Sequence, residues 1–263
     1  MSKKAIPVLA WFIPLAPLAL AFAIYFGELQ TNSFLFLNEL ARSLPDTLWA
    51  WLTFLGNGWG VFALAFPLLL LAPRALSAAI FAGFISAISS PLLKKYFDLP
   101  RPAGVLAEGS FYRLGEPLLH KAFPSGHTLT AFAIATALYF SCDKDKRKPL
   151  LLLFVIAALV GLSRSAVGAH WLTDVLGGAG FGIWCGMFGA LLAKHIPEKY
   201  LSPQGIWLRI LAIGGVVAIY AHLTKIMDHE LNQPLQYGSV VLLLITLVLF
   251  IKAQFNKSLT DSE

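Results

Sequence analysis

The stretch from residue 149 to 194, PLLLLFVIAALVGLSRSAVGAHWLTDVLGGAGFGIWCGMFGALLAK, decides the fold. It holds two apolar runs, near 149–167 and 171–194, joined by a short block that contains Ser163, Arg164, His170 and Asp174. Each run approaches the ~20 residues with which an α-helix crosses the hydrocarbon core of a bilayer. No water reaches the backbone there, so such segments close their hydrogen bonds internally as helices. Arginine, histidine and aspartate at the junction of two such helices are expensive to keep near lipid, which makes the junction a functional candidate.

Working outward, further apolar runs lie near 6–27, 48–72, 75–93, 125–141, 206–226 and 236–252. Together they predict an all-α, polytopic membrane protein with about eight crossings. The whole chain, 1–263, reads as one membrane domain, with a core over about 60–195 and extra helices over about 206–252. The composition, 57% hydrophobic and 13% charged with a mean hydropathy of +0.71, excludes an ordinary soluble domain. The run at 48–72 is interrupted by Gly56, Asn57 and Gly58, which predict a kink or a separate short helix. The first run follows Lys3 and Lys4, and Ala19-x-Ala21 resembles a signal-peptide cleavage site. Its length exceeds that of a usual signal-peptide core, which favours an uncleaved first helix. Between the first two runs, Phe34, Leu37, Leu40, Ala41 and Leu44 recur at helical spacing, with Asn38, Glu39, Arg42 and Ser43 between them. That pattern predicts an amphipathic helix at the membrane surface, beside an aromatic belt of Trp49, Trp51 and Trp59. Cys142 and Cys185 have neither metal-ligand spacing nor a pairing partner and read as structural.

The net charge of +6 does not point to nucleic acid, because the basic residues sit between apolar runs and not on a stripe shared with stacking aromatics. Their distribution reports topology instead. With both termini in the cytoplasm, the inner segments hold Lys3 and Lys4, Arg74, the run Lys144, Lys146, Arg147 and Lys148, then Lys194, Lys199, Lys252 and Lys257. The outer segments are poorer in cations, except for the loop between the third and fourth runs, where Lys94, Lys95, Arg101, Arg113 and Lys121 gather. A basic loop on the wrong side of the trend needs another cause, and binding phosphate is one.

The same layout brings three polar blocks to one membrane face. The first is KKYFDLPRP at 94–102, the second PSGH at 124–127, and the third Ser163-Arg164-x5-His170-x3-Asp174. A phosphate ester is strongly anionic, so a site for it gathers cations and amide donors. Lys94, Arg101 and Arg164 supply the charge, the arginines as two-pronged donors and the lysine as a point charge. Ser125 and Gly126 open an apolar helix, whose amino-terminal N–H groups favour an anion; Gly126 permits close approach, and Ser125 adds a hydroxyl or serves only as the helix cap. His170 and Asp174, four apart at a helix start, share a face, so the carboxylate can accept the Nδ1 proton and leave Nε2 free.

These blocks resemble the signature of the type-2 phosphatidic acid phosphatase superfamily, over about Lys94 to Asp174. The resemblance implies a helical core bundle of that type and a phosphatase in which His170 is the nucleophile, forms a phosphohistidine and is oriented by Asp174. It implies that His127 is the general acid and that Lys94, Arg101, Ser125, Gly126 and Arg164 bind the phosphate. No metal or other cofactor is implied, since the histidines and Asp174 already have roles. Asp98 and Glu116 are expected to shape the loop. Lys95, Arg113, His120 and Lys121 are expected to be solvated or to touch a second phosphate, and His195, His222 and His229 to be structural. The expected substrate is a lipid phosphate or diphosphate at the bilayer, undecaprenyl diphosphate first, then phosphatidylglycerophosphate, phosphatidic acid or lipid A phosphate. The expected setting is the cell inner membrane, with the site on the extracytoplasmic face. A lipid phosphotransferase shares the first half-reaction and stays open beside the hydrolase. A non-enzymatic lipid transporter would explain the helices and the basic loop but not the histidine pair and its aspartate. The sequence sets no oligomeric state.

Overall fold

The computed structural model describes residues 6–258, so the Met1–Lys4 tail with Lys3 and Lys4, the chain after Ser258 and the side chain of Lys257 lie outside it. Helices supply all the regular structure among the described residues. A 3-10 turn, Val8–Phe12, leads to α1 (Leu15–Phe26) and α2 (Gln30–Ala41). Then come α3 (Asp46–Phe54), α4 (Gly58–Ala65), the single turn α5 (Leu68–Leu71) and the long α6 (Pro73–Phe97). After a loop follow α7 (Gly126–Ser141), α8 (Leu151–Ala166), α9 (Leu172–Lys194), α10 (Ile206–Thr224) and α11 (Gln233–Ser258).

Among the described residues, six helical stretches are long and apolar enough to cross a membrane, and seven if the bent pair α3 and α4 counts as one. These are spans by length and composition, and they do not confirm the count of eight. The difference lies in α7, which has sixteen residues and so rises only about 24 Å. The break expected at Gly56–Gly58 is present as a 71° bend between α3 and α4. Asn57 makes it: its Oδ1 accepts from the backbone N–H groups of Trp59 at 3.0 Å and Gly60 at 3.4 Å, capping α4.

Between helices in lipid, van der Waals contact must replace hydrophobic expulsion, so small residues mark the seams. Gly178, Gly182 and Gly186 recur every fourth residue along α9 and face α7. A Cβ on Gly178 would fall 2.7 Å from the Ser125 carbonyl, one on Gly182 2.5 Å from that of Leu129, and one on Gly186 would strike that of Ala133. On other sides of α9, Gly189 admits the α6 backbone at Ala78 and Ala82, and Gly180 admits α1 at Pro14 and Leu18. The result is a tight core of α6, α7 and α9, with α1 laid against it and held by the Trp184 indole donating to the Trp11 carbonyl at 3.1 Å. The hairpin α10 and α11 is knitted to α4–α6 through Phe66, Leu69, Leu76, Leu208, Leu243 and Phe250. Phe22, Phe84, Ile213, Tyr220 and Val241 remain exposed, as side chains facing lipid do. The protein is an integral membrane protein.

The amphipathic reading of α2 needs one correction. The helix exists, but its buried face is Phe34, Asn38 and Ala41, while Leu40 and Leu44 are exposed. Asn38 points inward because three carbonyls await it. Its Nδ2 donates to Tyr112 O at 2.9 Å and to Ser165 O and Ala166 O at 3.1 Å, and its Oδ1 accepts from Tyr112 N at 2.8 Å. One side chain thus ties the surface helix to the basic loop and to the end of α8.

Candidate active site

The three polar blocks converge. A cavity of about 460 Å³ is lined by Lys94, Arg101, Gly126, His127, Arg164 and His170, so six of the eight expected site residues face it. Ser125 and Asp174, the other two, stand behind it. Ser125 is fully buried and makes no side-chain cap to α7; its Oγ accepts from Thr128 Oγ1 at 2.9 Å, and its N–H donates to the Asp174 carbonyl at 3.0 Å. It joins α7 to the start of α9, and the helix cap expected as one role of its hydroxyl is not formed.

Lys94 lies in the last turn of α6, which ends where Asp98 adopts a left-handed conformation at φ 41° and donates its N–H to the Lys94 carbonyl. Lys94 Nζ donates to the Lys121 carbonyl at 2.9 Å. Arg101 Nε donates to the His120 carbonyl at 2.9 Å and its Nη1 to the Ala169 carbonyl at 3.2 Å. Backbone carbonyls aim both cations without neutralising them. Lys121 and His120 contribute through their backbones, Asp98 shapes the loop as expected, and Lys95 is exposed away from the cavity. Arg113 and Glu116 do line it, together with His229.

Arg164, in the last turn of α8, is buried. Its Nη1 donates to Thr53 Oγ1 at 3.0 Å, a hydroxyl also bonded to Ser163 Oγ at 3.0 Å. Its Nε is buried with no hydrogen-bond partner among the described residues. A buried guanidinium donor left open costs about 1–3 kcal/mol, so an acceptor is implied there.

After α8 the chain turns at Gly168, whose φ of +75° a side chain rarely adopts and whose Cβ would fall 2.6 Å from the Tyr112 carbonyl. That turn delivers His170. Its backbone N–H donates to the Arg164 carbonyl at 3.1 Å, and its own carbonyl accepts from Ser165 Oγ at 3.1 Å. The His170 side chain is 3% exposed; its Nδ1 meets Asp174 Oδ2 at 3.1 Å, and the same oxygen accepts from Trp171 N at 2.9 Å. Asp174 is acceptor-only when ionised, so Nδ1 carries the proton and Nε2 keeps its lone pair. Burial foremost, then the charges of Arg101, Lys94, Arg164 and His127, holds the imidazole well below the usual histidine value of 6.5. The ring is neutral at pH 7.

His127, in the first turn of α7, meets Asp228 Oδ1 at 2.9 Å through Nε2. The other carboxylate oxygen, Oδ2, accepts from Asn57 Nδ2 at 2.9 Å. Burial alone would raise the Asp228 carboxyl, but His127, Arg164 and Asn57 hold it below the usual carboxylate value. Among the described residues no three His, Cys, Asp or Glu side chains cluster as a metal site would require.

The PAP2 superfamily profile matches residues 74–196. In solved structures, the chain is similar to Aquifex aeolicus LpxE, with a TM-score of 0.53 and 32% identity over 61% of this chain and 94% of that one. The chain belongs to the PAP2 superfamily. Among curated proteins, this PAP2 chain is similar to lipid A 1-phosphatase of Porphyromonas gingivalis, at 32% identity over 139 residues, which is 52% of this chain and 26% of that protein. It is also similar to phosphatidylglycerophosphatase B of Bacillus subtilis, at 39% identity over 77 residues, 26% of this chain and 38% of that one. It thus spans well under half the length of these two relatives.

Every expected site residue falls inside the matched segment. Three residues that the sequence did not place at the site fall outside it: Thr53, Asn57, which was expected only to break a helix, and Asp228. Thr53 carried no signal, since a lone threonine in an apolar run is unremarkable. Asp228 carried a faint one, because the layout puts the α10–α11 turn on the same face as the three polar blocks.

Proposed function

We propose that this PAP2 protein is a membrane lipid phosphatase acting through a covalent phosphohistidine on His170. The observation that carries the proposal is a single cavity lined by Lys94, Arg101, Arg164 and two histidines, behind which the Arg164 Nε is buried without a partner among the described residues. Three cations with one open donor suit the oxygens of a phosphoryl group. His170 Nε2 attacks phosphorus with its lone pair while the bond to the leaving oxygen breaks, and His127 gives that oxygen a proton. Arg101, Arg164 and Lys94 balance the charge on the transferring oxygens. Water then attacks the phosphohistidine, its proton passes to His127, the P–N bond breaks, and inorganic phosphate leaves. Asp174 holds the His170 tautomer throughout. No step calls on a metal or cofactor.

The names of the relatives rank lipid A 1-phosphate and phosphatidylglycerophosphate above undecaprenyl diphosphate and phosphatidic acid as the substrate. The opposite end of the bundle gathers Arg74, Arg147 and Lys194 around a second cavity. With the cations of the site end assigned to phosphate, these remaining ones support a cytoplasmic opposite end, and so an extracytoplasmic site with cytoplasmic termini.

The test is release of inorganic phosphate from a panel of these four lipids by purified protein in detergent, comparing kcat/KM. His170→Ala is expected to remove release by at least about 10³-fold while elution and melting stay those of the folded protein. Vanadate is expected to inhibit and a chelator to leave the rate unchanged. Full activity in His170→Ala would refute the nucleophile, and transfer of phosphate to a lipid acceptor with none to water would favour the phosphotransferase.

A further inference from the structure

Asp228 comes from a part of the chain that the family match does not cover, yet it bonds to a residue at the centre of the site. The turn that carries it is built for the purpose. Asp228 has a left-handed φ of 63°, a conformation that strains most residues and that aspartate tolerates better than most. The surrounding polar groups are tied within the turn. Asn232 Nδ2 donates to the Met227 carbonyl at 2.9 Å, Gln236 Oε1 accepts from Met227 N at 3.2 Å, and Gln236 Nε2 donates to the carbonyls of His222 at 3.0 Å and Lys225 at 2.7 Å. From across the molecule, the Trp51 indole donates to the Leu231 carbonyl at 3.0 Å. The turn is therefore ordered before any substrate arrives, and its one carboxylate facing the cavity, Asp228, is shared between His127 and Asn57. Its side chain is 18% exposed, shielded enough for the pairing to be felt.

We infer that the α10–α11 hairpin completes the active site by delivering Asp228 as a positioning residue that fixes the tautomer of His127 and provides the counter-charge for its protonated ring. The inference rests on the phosphatase reading above. A ring that donates a proton must first carry one, and Lys94, Arg101 and Arg164 all stand around the same cavity. Asp228 is the carboxylate bonded to it. With Nε2 held by Asp228, the Nδ1 proton is the one that moves to the leaving oxygen. Asn57 binds the carboxylate oxygen of Asp228 that faces away from the imidazole, so that the oxygen facing His127 keeps its direction; at Asp174, Trp171 N binds the same oxygen that faces His170. The two histidines thus have parallel supports, one from within the matched segment and one from outside it.

The experiment compares leaving groups. Nitrophenolate departs without a proton, whereas an alkoxide needs one, so only the second depends on His127 as an acid. kcat/KM for phosphate release is measured with 4-nitrophenyl phosphate and with an n-alkyl phosphate, using the purified full chain. Asp228→Asn is expected to lower the alkyl rate by at least about tenfold more than the aryl rate. Added to His127→Ala, it is expected to change the alkyl rate by less than about twofold, because its effect passes through that ring. Should Asp228→Asn fail to elute as folded protein, Asn57→Ala carries the test, with the alkyl-to-aryl ratio falling by about two- to fivefold. Equal losses on both substrates, or an undiminished loss in the His127→Ala background, would overturn the inference and leave the phosphatase reading standing. A wild-type protein that releases phosphate from neither ester nor any lipid would bring down the phosphatase reading itself.

Discussion

Replacing Arg164 with methionine separates a structural arginine from a phosphate grip, because the two assign opposite signs to the change in stability. The guanidinium is buried, bonded through Nη1 to Thr53 Oγ1 at 3.0 Å, and has an Nε with no partner among the described residues. An open buried donor costs about 1–3 kcal/mol. Against this, Thr53 loses one hydrogen bond, about 1 kcal/mol. The net expectation is a protein more stable by about 1 kcal/mol, or about 2–4 °C in melting temperature for a chain of this size. Activity moves the other way. Two charge-assisted bonds to phosphate oxygens at about 1.5–3 kcal/mol each amount to about 10²–10⁴ in kcat/KM. The assay is a melting curve in detergent beside phosphate release, each with and without vanadate. Vanadate is expected to raise the melting point of the wild type by linkage and to leave that of Arg164→Met unmoved. An Arg164→Met protein that melts several degrees lower would make Arg164 a structural anchor, and one that keeps its activity would remove the main support for the phosphate site.

Two other perturbations test the electrostatics and the packing. Because burial and the neighbouring cations hold His170 well below 6.5, the nucleophile stays unprotonated as pH falls past that value, and the acid limb of kcat/KM should lie below pH 6.5. The unfolded chain takes up a proton that the folded imidazole refuses, so stability should also decline as pH drops through 6.5; an acid limb at or above 6.5 would contradict the environment described for the ring. Gly182→Ala places a methyl 2.5 Å from the Leu129 carbonyl and should force α7 away from α9, destabilising by about 1–3 kcal/mol and lowering kcat/KM by up to about 10²-fold through displacement of His127. Gly238→Ala, with open space around its Cβ, should change neither, and equal effects at the two glycines would refute the seam.

The site was legible where its residues sit close in sequence to a helix end. His170 and Asp174 announce themselves by spacing, and Lys94, Arg101 and Arg164 by being cations at the edges of apolar runs. Asn38 was misread for a reason that belongs to the bilayer. Amphipathic patterning assumes that polar means outward, but here the interior offers carbonyls at Tyr112, Ser165 and Ala166, and an amide there finds acceptors that lipid could not supply. Ser125 differs in another way: at a helix start its hydroxyl reads as a cap, whereas close approach of α9 at Gly178 buries it against Thr128. The count of crossings is left open at α7, where apolar content is high but length is short.

Asp228 marks the limit of reading motifs. Its partner His127 lies 101 residues earlier and Asn57 171 residues earlier, so no local spacing links them. What brings them together is a set of unrelated local facts: the break at Gly56–Gly58 that bends the chain and frees Asn57, the left-handed residue in the α10–α11 turn, and the apolar seam through Phe66 and Leu243 that seats the hairpin. Only the break is visible in sequence; the left-handed turn and the seam belong to the fold, which turns the three into one contact. Had evolution needed merely to anchor the hairpin, an apolar residue at 228 would serve at less expense than a carboxylate beside a lipid-facing site. The retained charge is intelligible if the group it faces, His127, must itself become charged during the reaction.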